Sequence, residues 1–170
     1  MSKKKWFYLV VALQALCLAG MAGASCAADW LGQEIRLKTV PVDPRDVLYG
    51  DYVILSYSMS HLDTALWRGE DGLPEAGTPI YTLLREENGF YEPVAAYPDN
   101  VSASEANEVV LKGIVQYSWD EAISVNYGLE RYYVPEGTGK ALEEERGRLI
   151  VTVKVAPWGQ TRITGVDIED

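Results

Sequence analysis

Residues 6–28 carry no charge, and Gln14 and Ser25 are the only strongly polar side chains among them. As a helix, these 23 residues would rise roughly 35 Å, enough for a bilayer core about 30 Å thick. Beyond this stretch the pattern acquires a period of two. In QEIRLKTV, Ile35 and Leu37 alternate with Glu34, Arg36 and Lys38, which predicts a half-buried strand. PVDPRD cannot continue it: its two prolines remove backbone donors, and Asp43-Pro44 favours a turn. DYVILSYS predicts a second strand, with Asp51, Val53, Leu55 and Tyr57 on one face and Tyr52, Ile54 and Ser56 on the other. Asn88-Gly89 predicts a tight hairpin turn between strands at 80–85 and 90–97. NEVVLKGIVQYS and AISVNYGL predict two more about a turn at Trp119-Asp120. RLIVTVKVAPWGQTRITGVDI predicts a closing hairpin that turns at 157–160, and GKALEEERG alone has helical composition, stopped by Gly147.

The expected fold is mainly β: an N-terminal apolar helix in residues 1–28, then an antiparallel β domain in residues 29–170. About eight strands joined by hairpin-length loops predict a barrel-like sheet or a small sandwich, with one or two short helices. Eleven tyrosines and five tryptophans stand against two phenylalanines. Each such ring buries apolar area and still needs a partner for its polar end, which suits amphipathic rims and binding surfaces.

Charge narrows the partners. All 25 acidic residues but only 12 of the 15 basic ones fall in residues 29–170, leaving that domain at about −13. Such a domain repels nucleic acid and anionic lipid headgroups. Both cysteines, Cys17 and Cys26, lie in the apolar segment, so the domain has no disulfide and no thiol chemistry. That segment reads as a retained membrane anchor. Its small-residue end, GMAGASCAAD, also fits cleavage as a signal peptide or lipidation at Cys26. In each reading Lys3, Lys4 and Lys5 hold the N-terminus inside. The expected location is the inner membrane, with a single pass and the domain outside the cytoplasm.

Familiar catalytic patterns are missing. His61 is the only histidine and sits in what reads as a polar loop, SMSHLDTALW, without the neighbours of a triad or a zinc site. EGTGKALE lacks the spacing of a phosphate-binding loop, and Asp43, Asp46 and Asp51 lack the alternation of a calcium loop. Glu143, Glu144 and Glu145 read as a solvated helix face. No cofactor or metal is expected. PVDPRDVLYGDYVIL resembles the approach to the catalytic strand of type I signal peptidases, with Pro41 and Gly50-Asp51 in place. However, the nucleophile's position holds Val42, and no lysine lies between Lys38 and Lys112 to activate one.

A closer resemblance lies in GDYVILSY, residues 50–57, which matches Gly-Asp-Tyr-x-x-Leu-x-Tyr at every fixed position. With PVDPRD before it and YGLERYYVPEG later, the chain resembles the GDYXXLXY family of uncharacterised bacterial membrane-anchored proteins. The resemblance implies one N-terminal anchor, an exported β domain and partnership with multi-pass membrane proteins in the cell envelope. It brings no established activity. In the residues themselves, Leu55 and Tyr57 are expected to point inward, with Asp51 capping the corner or pairing with Arg45. PVDPRDVLYGDYVILSY and YGLERYYVPEG are expected to meet as one surface. Its candidate residues are Arg45, Asp46, Gly50, Asp51, Tyr52, Tyr57, Tyr127, Glu130, Arg131, Tyr132 and Glu136. The expected function is a membrane-anchored extracytoplasmic binding or assembly module of an envelope complex. The alternative is an envelope hydrolase using paired carboxylates such as Asp46 and Asp51.

Overall fold

The computed structural model describes residues 3–41, 52–70, 72–133, 148–157 and 159–168. A helix, α1 (Lys3–Leu31), leads through Gly32 into β1 (Gln33–Lys38). Next come β2 (Tyr52–Ile54), β3 (His61–Asp63), β4 (Pro79–Glu87), β5 (Phe90–Tyr97), β6 (Glu108–Trp119) and β7 (Ala122–Asn126). The chain closes with β8 (Arg131–Tyr133), β9 (Leu149–Val155) and β10 (Thr161–Ile168). Single 3₁₀ turns at Ser58–Ser60 and Thr64–Leu66 flank β3.

The protein is mainly β, and its strands form a nearly closed, barrel-like sheet. Its parts are a three-stranded ladder β1-β9-β10, a two-stranded ladder β2-β8 and a five-stranded ladder β3-β7-β6-β4-β5. Every ladder is antiparallel. The hairpin turns follow from local chemistry. Asn88 (φ 54°) and Gly89 (φ 86°) adopt the positive angles of a two-residue turn, which only Gly and Asn tolerate readily. Ile35 and Leu37 of β1 and Val151, Val153 and Val155 of β9 point inward. They meet Leu62, Ile80, Leu84, Leu111, Val115 and Ile123 from the five-stranded ladder in one core.

Three expectations need correction or refinement. His61 lies on β3, an edge strand paired with β7 through His61↔Ser124, and its neighbours Met59 and Leu62 are core residues. The described residues form ten strands, where the pattern suggested about eight; the additional ones, β3 and β8, have three residues each, too few to show a period. DYVILSYS is regular strand only over β2, and then remains extended while changing partners. Leu55 donates its N–H to Glu130 O at 2.9 Å, and Tyr57 bridges to Thr39, which follows β1. This segment therefore fastens the β1 ladder to β8 and, through the turn at Ser58–Ser60, to β3.

In α1 the side chains of residues 4–20 are all exposed. Among the described residues, no helix is long and apolar enough to cross a membrane. The expected helix at GKALEEERG lies outside the described residues.

Candidate functional site

The joint between β2 and β8 is built from a turn and two buried tyrosines. At the end of β7, Asn126 Oδ1 accepts the N–H of Gly128 at 2.9 Å, and Gly128 (φ 76°) turns the chain back. A side chain at that angle would be strained. Glu130 Oε1 accepts the Tyr127 N–H at 2.6 Å and locks the turn. Tyr127 is thereby aimed into the core, where its hydroxyl shares a 2.7 Å hydrogen bond with Thr82 Oγ1 on β4. Gly113 on β6 makes room for this ring: a Cβ there would overlap Val125 and lie 3.0 Å from two carbons of Tyr127.

The other half of the joint comes from the motif. β8 pairs with β2 through Tyr52↔Tyr133, Val53↔Tyr132 and Ile54↔Arg131. Leu55 and Tyr57 are buried, as expected from their shared face. The Tyr57 hydroxyl donates to Leu129 O at 2.8 Å, tying the motif strand to the turn before β8. Thr39 completes the corner by exchanging hydrogen bonds of 3.0 Å with both backbone groups of Leu149.

Burial, reinforced by the Glu130 carboxylate, raises the Tyr57 phenol well above its ordinary pKa. Burial raises Tyr127 too, opposed by its bond with Thr82 and assisted by Glu130. Both phenols therefore hold their protons more tightly in the folded chain than in the unfolded one. Their contribution to stability is complete below the ordinary tyrosine pKa of about 10 and is lost as pH rises above it. Each should subtract about 1.4 kcal/mol per pH unit there. Urea titrations across that range should show this decline, shallower by one proton in Tyr57→Phe. An equal slope in that variant would disprove the buried neutral phenol.

Thus Tyr57, Tyr127 and Glu130 are brought together, with Tyr132 packed half-buried against the core and Arg131 exposed beside it. Tyr52 joins them through its backbone pairing. Arg45, Asp46, Gly50, Asp51 and Glu136 lie outside the described residues, as do the ion pairs expected of Arg45 and Asp51. Glu130 uses a carboxylate oxygen on its own turn.

A family model described as GDYXXLXY protein matches residues 14–166. The chain belongs to the GDYXXLXY family. No curated protein and no solved structure matches it. In this GDYXXLXY protein the last two fixed positions of the signature, Leu55 and Tyr57, serve the fold: one fills the core and the other clasps the turn before β8.

Two features of the GDYXXLXY domain went unnoticed in the sequence. One is a cleft of about 510 Å³ between the 100–103 loop and the β9–β10 turn, with Gln33, Tyr81, Glu108 and Lys112 in its lining. Its one carboxylate is engaged: Glu108 accepts from Arg85 Nη2 at 2.7 Å and from the Ser104 N–H at 3.1 Å. These bonds, Arg85 first, hold the carboxyl below its usual range. The signal for this pair is cross-strand, Arg85↔Glu108, and emerges only once β4 and β6 are in register. The other feature is an exposed aromatic pair, Tyr117 and Trp119, stacked with ring centres 4.8 Å apart.

Proposed function

We propose that this GDYXXLXY protein is a membrane-anchored, extracytoplasmic binding module that assembles with a membrane-protein partner in the cell envelope. The observation that carries the reading is the Tyr117–Trp119 pair, stacked on β6 and left open on the domain surface. Exposed, pre-ordered aromatics are the residues on which protein interfaces concentrate their binding energy. A hydrolase would need two carboxylates converging in a pocket. The cleft beside Glu108 offers one, already tied to Arg85, and Asp46 and Asp51 lie outside the described residues. Anchoring is supported by the uncharged stretch at residues 6–28 and by the outward-facing Trp6, Phe7, Leu16 and Leu18 of α1.

Photo-crosslinking in intact cells tests this. A crosslinker replacing Trp119 should yield an adduct with one membrane protein, and one replacing Glu87 at the opposite end of the sheet should not. Intact mass of the membrane-extracted protein should include residues 1–28. Absence of any adduct would contradict the assembly role, and loss of the first ~25 residues would contradict the anchor.

A further inference from the structure

We infer that the outer face of the sheet at the β6–β7 turn docks an arginine- or lysine-bearing segment of a partner protein. This rests on the binding-module reading and names the chemistry of its partner. A bulge between Val115 and Tyr117 makes the face. Period two would send Tyr117 and Trp119 inward after Val115; the extra residue turns them outward. They are 48% and 44% exposed, and among the described residues neither the phenol nor the indole N–H has a hydrogen-bond partner.

Their neighbours across the sheet are small. Tyr117 pairs with Ser124, which pairs with His61; Trp119 pairs with Ala122, which pairs with Asp63. By this register the aromatic pair forms one wall of a shallow trough and β3 the other, over half-buried Ala122 and buried Ser124. The outer face of an antiparallel sheet is ordinarily polar, and an apolar one signals a covering partner.

Charge selects that partner. Asp63, Asp120 and Glu121 are exposed around the trough. β3, β7 and the part of β6 beyond Lys112 contribute no lysine or arginine. Arg68, after the 3₁₀ turn that follows β3, directs Nη1 to Ala65 O at 2.8 Å. His61 is the remaining titratable group on the wall, exposed, and its imidazole makes no hydrogen bond among the described residues. Aromatic ring faces attract cations and carboxylates pair with them, and a guanidinium satisfies both at once.

The test uses the full-length protein in zwitterionic detergent and a fluorescein-labelled peptide with three arginines spaced by glycine and serine. Anisotropy should show binding, weaker for the lysine version and absent when citrulline replaces arginine. Tyr117→Ala with Trp119→Ala leaves the charge unchanged and should weaken binding about fivefold or more, with Trp119→Phe retaining most of it. Should the double alanine variant melt early, Asp120→Asn with Glu121→Gln gives the same reading, because neither side chain makes a hydrogen bond among the described residues. Glu86→Gln with Glu87→Gln, at the far end of β4, should change nothing. Equal weakening by that distant pair, no effect of removing the aromatics, or no binding at all would overturn the inference. A crosslinked partner without peptide binding refutes this chemistry alone; peptide binding without a crosslinked partner refutes the assembly role alone.

Discussion

Tyr57→Ala should leave the β domain unfolded or close to it. The side chain is 1% exposed and its ring reaches the core from a segment that fastens three ladders together. Removing a fully buried aromatic costs about 3–5 kcal/mol, a large part of the roughly 5–15 kcal/mol that holds a domain folded. The loss should exceed that for an ordinary core aromatic. Leu129 O loses its donor, and the bridge between Thr39 and Tyr57 loses the ring that fixes it. Circular dichroism of the full-length protein should show lost β signal or a transition far below that of the wild type.

Gly113→Val should destabilise the domain through a different contact. Gly113 faces inward from β6 beneath Tyr127, and its Cβ would already meet Val125 and the tyrosine ring. Valine adds two further methyl groups at a place where neither β6 nor β7 can retreat without breaking the ladder. Overpacking of this kind costs about 1–3 kcal/mol or more. Displacing Tyr127 also breaks its bond with Thr82. Urea unfolding should show a clear drop in midpoint, with Gly113→Ala intermediate. A wild-type midpoint for valine would mean that the Tyr127 ring lies elsewhere.

These two positions illustrate what the sequence disclosed and what it hid. The inward direction of Leu55 and Tyr57 follows from period two, and the described residues agree with it. The hairpins were equally legible, because Asn88-Gly89 encodes its turn within two residues. The meeting of the motif with the 127–133 segment could be expected from their mixed composition. The tie between them could not: Tyr57 reaches a backbone carbonyl 72 residues away. Gly113 reads as a weak point in a strand until β7 is in register, when it becomes the space for a ring. Tyr117 and Trp119 were hidden for the opposite reason. Alternation would carry the inward face of Val115 on to Tyr117, and Trp119 was expected in the turn. One bulged residue, not recognisable from the residue types, puts both on the outer face of β6.

The claim on which the rest depends is that the end of the GDYXXLXY signature works through the fold, by Tyr57 clasping Leu129. Thermal unfolding of full-length Tyr57→Phe tests it most directly, because the ring stays and only the hydroxyl goes. Leaving a buried carbonyl without its donor costs about 1–3 kcal/mol, so the midpoint should fall by roughly 3–10 °C. A midpoint equal to that of the wild type would contradict the clasp.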